Sequence, residues 1–159
     1  MKQLWAPWRL AYVQEAGVTE GCVFCQEASG ELGTASLVVH RGVRTIVLLN
    51  KFPYSPGHLM VAPLRHIPSL GDLDLDEAAE IHALTVQGIA TLTTIYAPDG
   101  FNVGWNLGAV AGGSIASHLH QHVVPRWSGD TNFMPVLADV KVLPEHLEST
   151  RSALIAAWQ

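Results

Sequence analysis

The segment HLHQHVV, residues 118–124, carries a histidine at every second position and ends in two β-branched residues. Alternate side chains of a β-strand project from one face, so a strand here would present three imidazoles together. A neutral imidazole can act as a nucleophile, bind a metal or move a proton near pH 7. The row therefore predicts a functional site, and its spacing alone leaves these three chemistries open.

The segments around this row predict the rest of a sheet. Two β-branched runs in SLVVHRGVRTIVLLN, residues 36–50, are separated by Arg41-Gly42 and predict a hairpin. HLMVAP at 58–63 predicts a third strand after a loop marked by proline and glycine. FNVGWNLG at 101–108 and HLHQHVVPRW at 118–127 predict two more strands, joined by the loop AVAGGSIAS.

Two helices are predicted beside these strands. Apolar residues recur at helical spacing between Asp72 and Tyr96, and Asp74 with Glu77 three positions later is typical of a capped helix start. A closing helix is predicted over residues 144–158. One long helix and a C-terminal helix beside a mostly antiparallel sheet indicate an α+β fold. The chain of 159 residues fits a single domain, 1–159, with the aromatic-rich residues 1–21 as an N-terminal arm.

The composition limits the classes of partner. Hydrophobic residues make up 48% and charged residues 14% of the chain, and this apolar surplus favours a homodimer or homotetramer. The net charge of −5 offers no broad basic face to a nucleic-acid polymer. No apolar run reaches membrane-spanning length, and the first residues lack the apolar core of a signal peptide. We therefore expect a cytoplasmic protein with no membrane partner.

The loop directly before the histidine row contains Gly112, Gly113 and Ser114. The backbone N–H groups of such a flexible stretch can turn toward an anion, with the serine hydroxyl beside them. Alone these residues are typical of a plain loop. Beside three histidines they favour a phosphate-binding site.

Cys22 and Cys25 form a Cys-x-x-Cys pair. In a reducing compartment this spacing is typical of half a metal site, a redox pair or two ordinary thiols rather than a structural disulfide. The pair alone does not decide among these.

Several segments together resemble the histidine-triad (HIT) superfamily of nucleotide hydrolases and transferases. HLHQHVV resembles its His-φ-His-φ-His-φ-φ signature, and LLNKFPYSPGHLMVAPLRHI at 48–67 resembles its nucleotide-side hairpin. The block at 106–136, NLGAVAGGSIASHLHQHVVPRWSGDTNFMPV, is similar to the diadenosine tetraphosphate phosphorylase branch, as are LWAPWRLAYV and GCVFC near the start. Gln121 departs from the signature, which usually has an apolar residue there. Because it lies on the opposite face from the imidazoles, it should affect packing and not the chemistry.

The resemblance implies roles for the three histidines. His120 would attack the α-phosphorus, and His122 would contact the phosphate and stabilise the charge that develops on it. His118 would join a zinc site with Cys22, Cys25 and His66, a set that matches the zinc ligands of some superfamily members in kind and order. The four would form a closed structural zinc site. Without zinc the cysteines would be two buried thiols, and His118 would orient the site or help to protonate the leaving group. We expect no organic cofactor.

The resemblance also implies a set of substrate-binding residues. Asn106 would lie near the phosphates and Asn50 near the ribose, although each is also a typical turn residue. Arg126 is the candidate for a second phosphate by position, and its alternative is an ion pair with Asp130. The full predicted set is Asn50, Asn106, Gly112, Gly113, Ser114 and Arg126. His58 is expected to be an internal hydrogen-bonding residue.

The resemblance therefore implies phosphorolysis of diadenosine tetraphosphate to ATP and ADP through a nucleotidyl-histidine intermediate, with adenine nucleotides and inorganic phosphate as partners. One alternative is a hydrolase of dinucleoside polyphosphates or nucleoside phosphoramidates that uses the same residues. A second is a regulatory protein that binds AMP without turnover. A third is a metal hydrolase whose zinc is held by the three histidines of the row.

Overall fold

The computed structural model describes residues 21–30, 35–111, 115–130 and 145–158. The predicted N-terminal arm lies almost entirely outside these residues, as do Gly112, Gly113 and Ser114. None of the helices in the described part of the chain combines the length and apolar character needed to cross a bilayer.

Five strands within the described ranges form one antiparallel sheet. The order across the sheet is β1-β2-β3-β5-β4, which places β5 between β3 and β4. The strands are β1 Val38–Arg41, β2 Thr45–Leu49, β3 Leu59–Pro63, β4 Gly100–Trp105 and β5 Gln121–Arg126. The predicted hairpin at 36–50 is confirmed as the antiparallel pair β1 and β2.

Three α-helices accompany the sheet in the described ranges: α1 Val23–Ser29, α2 Leu75–Tyr96 and α3 Leu147–Ala157. The predicted capped start of the long helix is confirmed. Asp74 accepts a hydrogen bond from the Glu77 backbone N–H, and the Glu77 carboxylate accepts one from the Asp74 N–H. Helix α1 was not predicted, because its 7 residues are too short to show a helical period.

The two faces of the sheet are covered by different helices. On one face Val47 of β2 and Val61 of β3 pack against α2 and α3, in a cluster that includes Leu84 and Leu154. On the other face Ile46 and Met60 belong to a cluster that contains Phe24 of α1. Because β2 and β3 are buried on both faces, their sequences are continuous apolar runs.

The histidine row lies on the α1 face. His122 is paired with Met60 across β3 and β5, while Gln121 is paired with Val61. Gln121 therefore faces α2, where its side-chain oxygen accepts a hydrogen bond from the Thr85 hydroxyl. The prediction that Gln121 lies on the opposite face from the imidazoles is confirmed.

Strand β5 begins at Gln121 and not at His118 as predicted. The antiparallel register places Leu119 opposite Pro63, which has no backbone N–H to donate to the ladder. The regular pairing therefore stops, and the backbone N–H of Leu119 donates to the Ile67 carbonyl instead. His118 therefore lies before the strand, although it is still buried against β3.

Candidate active site and metal centre

His120 is held as a neutral imidazole by a hydrogen bond at one ring nitrogen. Its Nδ1 lies 2.8 Å from the backbone carbonyl oxygen of His118, and a carbonyl can only accept, so the ring proton is on Nδ1. The lone pair is therefore on Nε2. Burial lowers the pKa of His120 below its ordinary value, since the side chain is 7% exposed. At neutral pH His120 presents a nucleophilic Nε2.

His122 belongs to a chain of hydrogen bonds that determines its tautomer. The Tyr54 backbone N–H donates to His58 Nδ1 over 3.1 Å, so the His58 proton is on Nε2. That Nε2–H donates to His122 Nδ1 over 2.9 Å, which places the His122 proton on Nε2. Asn106 lies at the end of the chain with its Nδ2 3.2 Å from His122 Nε2, and a half-turn of the amide presents the oxygen that this N–H requires.

His122 is neutral and has an N–H that can bind an anion. Burial, followed by the neighbouring His120, lowers its pKa to about 4, so it is neutral at pH 7. Its Nε2–H can donate to an anion while His58 holds the other side of the ring. The His120 and His122 rings meet edge to face at 4.9 Å, so a neutral nucleophile and a neutral donor lie side by side.

The sequence did not reveal which residue His58 would hydrogen-bond. Its expected internal hydrogen bonding is confirmed, and its partner is His122. The useful signal is that His58 immediately precedes β3. That signal becomes informative only once β3 is known to pair with β5, and two strands separated by a long helix give no local sign of that pairing.

The structure places the other predicted contacts in different surroundings. The Asn50 side-chain oxygen accepts a hydrogen bond from the Phe52 N–H at 2.9 Å, which is the turn role considered as its alternative. Arg126 is four positions beyond His122 on β5 and forms two hydrogen bonds with Asp130, the ion pair considered as its alternative. The Asp130 carboxylate raises the pKa of Arg126. Ribose and phosphate contacts by Asn50 and Arg126 stay predictions.

Cys22, Cys25, His66 and His118 converge on one point. Their ligand atoms all lie within 4.8 Å of one another, with both cysteine sulfurs facing His118 Nδ1 at 3.3 and 3.7 Å. Cys25 Sγ lies 3.3 Å from His66 Nδ1. A tetrahedron with zinc–ligand bonds of about 2.0–2.3 Å has edges of roughly 3.3–3.8 Å, and the three named distances of 3.3, 3.7 and 3.3 Å fall within that range.

The hydrogen bond at the other ring nitrogen of His118 also supports a metal site. Its Nε2 lies 2.9 Å from the Pro63 carbonyl oxygen and therefore carries the ring proton, which leaves the Nδ1 lone pair directed at the cysteines. Metal-bound histidines commonly donate their other N–H in this way. Within the described ranges these four residues are the group of metal-ligating side chains close enough to share an ion, and His120 and His122 are not part of it.

The sequence as a whole matches a known protein family. The family model described as HIT domain matches residues 33–129, which contain the histidine row, His58 and Asn106. The chain belongs to the HIT family. The HIT match begins after Cys22 and Cys25, so the metal-ligand set joins a segment before the match to histidines within it.

Individual HIT relatives agree with this assignment. A Mycobacterium tuberculosis protein named AP-4-A phosphorylase is 43% identical over an alignment of 168 positions, covering 99% of this chain and 85% of that protein. A Schizosaccharomyces pombe protein named Bis(5'-nucleosyl)-tetraphosphatase [asymmetrical] is 28% identical over 60% of this chain and 52% of its own length.

A solved HIT structure shares the fold. The crystal structure of a Zn-bound histidine triad family protein from Mycobacterium smegmatis superimposes with a TM-score of 0.70. It is 26% identical and covers 87% of this chain and 93% of its own. The expected α+β HIT fold is therefore confirmed.

Proposed function

We propose that this HIT protein is an enzyme that cleaves diadenosine tetraphosphate with inorganic phosphate to give ATP and ADP. The observation that carries the proposal is the pairing of a neutral His120, with its lone pair on Nε2, and a neutral His122 that presents an N–H. The substrate class is supported by the relative from M. tuberculosis, which carries the name AP-4-A phosphorylase.

In the first step, His120 Nε2 attacks an α-phosphorus of the substrate. A P–N bond forms, the P–O bond to the other nucleotide breaks, and ATP leaves. The ring becomes positively charged, and its Nδ1–H bond to the His118 carbonyl stabilises that charge. The His122 N–H, released from Asn106, donates to a phosphate oxygen as negative charge accumulates there.

In the second step, an oxygen of inorganic phosphate attacks the same phosphorus. ADP forms as the P–N bond breaks, and the electron pair of that bond returns to Nε2 of His120. The covalent intermediate thus divides one displacement into two. Water in place of phosphate would release AMP and make the protein a hydrolase. The S. pombe relative, named as a tetraphosphatase, favours this second candidate.

The remaining residues complete the proposed site. Asn106 and the segment Gly112, Gly113 and Ser114 would bind phosphate oxygens, and Asn50 would bind the ribose. To bind the second phosphate, Arg126 would have to replace its two hydrogen bonds to Asp130 with bonds to phosphate oxygens. We further propose a single domain over residues 1–159, a homodimer or homotetramer, and a cytoplasmic location.

The metal site is proposed to be structural. Cys22, Cys25, His66 and His118 would hold a zinc ion, and four protein ligands leave no open position for substrate. When bound, the ion would supply a link between the N-terminal segment and the sheet. The chemistry is left to His120 and His122.

The deciding experiment is to incubate the purified protein with diadenosine tetraphosphate, with and without phosphate, and to resolve the nucleotides. We expect equal amounts of ATP and ADP that depend on phosphate. ATP with AMP in the absence of phosphate would establish the hydrolase instead. His120→Ala should reduce turnover by about 10⁴-fold or more, whereas His82→Gln, on an exposed part of α2, should not. Nucleotide binding without turnover in the unaltered protein would contradict both enzymes.

A further inference from the structure

Phe24 lies between the two cysteines of the metal-ligand set and touches two histidines of the row. Its ring centroid is 4.9 Å from that of His118 and 4.7 Å from that of His120. The planes are inclined by 33° and 31°, so the phenyl ring lies along one side of both imidazoles. The proposed function gives this aromatic side chain no role.

Phe24 is itself firmly held. Its side chain is 0% exposed and packs in the cluster formed with Ile46, Leu48, Met60 and Ala62. A ring enclosed in this way cannot move aside without disturbing the sheet. It therefore provides a rigid wall for the imidazoles beside it.

The orientation of His120 needs such a wall. Its hydrogen bond to the His118 carbonyl fixes one atom of the ring, Nδ1, but a single bond still allows the ring to tilt about that point. Attack on phosphorus requires the Nε2 lone pair to be aligned with the bond that breaks, and a displacement of about 1 Å can cost roughly 100-fold in rate. A flat side chain packed against the imidazole, with ring centroids 4.7 Å apart, would restrict this tilt.

We propose that Phe24 is a positioning residue for the nucleophile, and that the cysteines beside it couple this position to metal binding. The inference rests on the proposed function for its kinetic consequence. Two connections run from the ligand set to His120. Cys22 and Cys25 fix the start of α1 and hence the Phe24 ring. His118 supplies both a ligand nitrogen and the carbonyl that orients His120.

The test compares Phe24→Leu with Val47→Ala in the zinc-loaded full-length protein. Val47 is equally buried, but it packs in the cluster on the opposite face of the sheet from Phe24. Imidazole ¹⁵N shifts report the tautomer of His120 without any substrate. We expect a single Nδ1–H tautomer in the wild type and in V47A, and a mixture of both neutral tautomers in F24L. Metal analysis should show the same zinc content in all three proteins.

The kinetic arm separates positioning from binding. F24L should lower kcat for diadenosine tetraphosphate by about 10- to 100-fold and leave KM within about twofold, while V47A should lower thermal stability and leave kcat close to that of the wild type. Phe24→Met fills the space without a flat face and replaces F24L if that variant does not fold. Either a single tautomer or an unchanged kcat in folded F24L or F24M would overturn the positioning role.

Chelation of the wild type tests the coupling. Metal-free protein should show the same tautomer mixture as F24L, and a single tautomer after complete metal removal would overturn the coupling. If no variant turns over the dinucleotide but the tautomers still differ, the proposed function fails and the positioning role stands. If turnover is normal in F24L, the positioning role fails and the proposed function stands.

Discussion

Replacement of His58 by leucine tests the hydrogen-bond chain that determines the tautomer of His122. His58 is 0% exposed, accepts from the Tyr54 N–H over 3.1 Å and donates to His122 Nδ1 over 2.9 Å. Leucine has a similar volume and can make neither bond. His122 would keep its place beside His120 but lose the partner that directs its proton to Nε2.

The expected losses can be estimated from these contacts. A buried polar group without its partner costs about 1–3 kcal/mol, and water can reach the Tyr54 loop, so we expect a total of about 2–3 kcal/mol in the free energy of unfolding. A lost hydrogen bond to a charged phosphate in the transition state costs about 1.5–3 kcal/mol. That range corresponds to a fall in kcat/KM of roughly 10- to 150-fold.

The assay is kcat/KM for diadenosine tetraphosphate in the presence of phosphate, measured beside urea unfolding. His58→Gln is the matched variant, because its amide N–H can donate to His122, and it should recover most of the activity. His82→Gln serves as the exposed control and should stay within about twofold of the wild type. The reasoning would be refuted if H58L kept wild-type kcat/KM, or if H58Q were as impaired as H58L.

Three further predictions concern stability. Gly57 has φ of +75°, and a Cβ there would lie 2.6 Å from a Leu92 methyl, so Gly57→Ala should cost about 2 kcal/mol or more in urea unfolding, unlike Gly71→Ala. Glu77 is 2% exposed and its pKa is lowered by Arg65, so Glu77→Gln should cost about 2–3 kcal/mol at pH 7, and an unchanged urea midpoint would contradict this. His122 takes up a proton below about pH 6.5 in the unfolded chain but only below about pH 4 in the folded protein. The free energy of unfolding should therefore fall by up to about 3 kcal/mol as the pH is lowered from 6.5 to 4. Urea midpoints measured across this range should show a shallower fall in His122→Gln.

The elements of the fold were largely predictable because their signals are local. The Asp74 capping box and the helical spacing after it define α2, and the β-branched runs define the hairpin. The end of the ladder at Pro63 was not predicted, since it depends on which strand lies opposite that proline. Helix α1 was not predicted because its seven residues are too few to show a helical repeat of apolar positions.

The candidate site was predictable in composition but not in connections. The alternation of histidines indicated a shared row, and the resemblance singled out His120, His122 and the metal ligands. The sequence could not show that the Pro63 carbonyl would accept a hydrogen bond from His118 Nε2–H, or that His58 would donate one to His122. Both depend on β3 lying beside β5, a long-range pairing that no local pattern encodes. Asn50 and Arg126 show the converse, since partners close in sequence, the Phe52 N–H and the Asp130 carboxylate, occupy the groups assigned to substrate.

The metal-ligand set also has a topological consequence. Cys22 and His118 are 96 positions apart, so an ion held by both would act as a cross-link that closes most of the chain into a ring. By the relation for covalent cross-links, a loop of this length restricts the denatured ensemble by on the order of 4–5 kcal/mol. During synthesis the two thiols emerge long before His118, the last imidazole ligand, so this ring can close only after most of the sheet has been made.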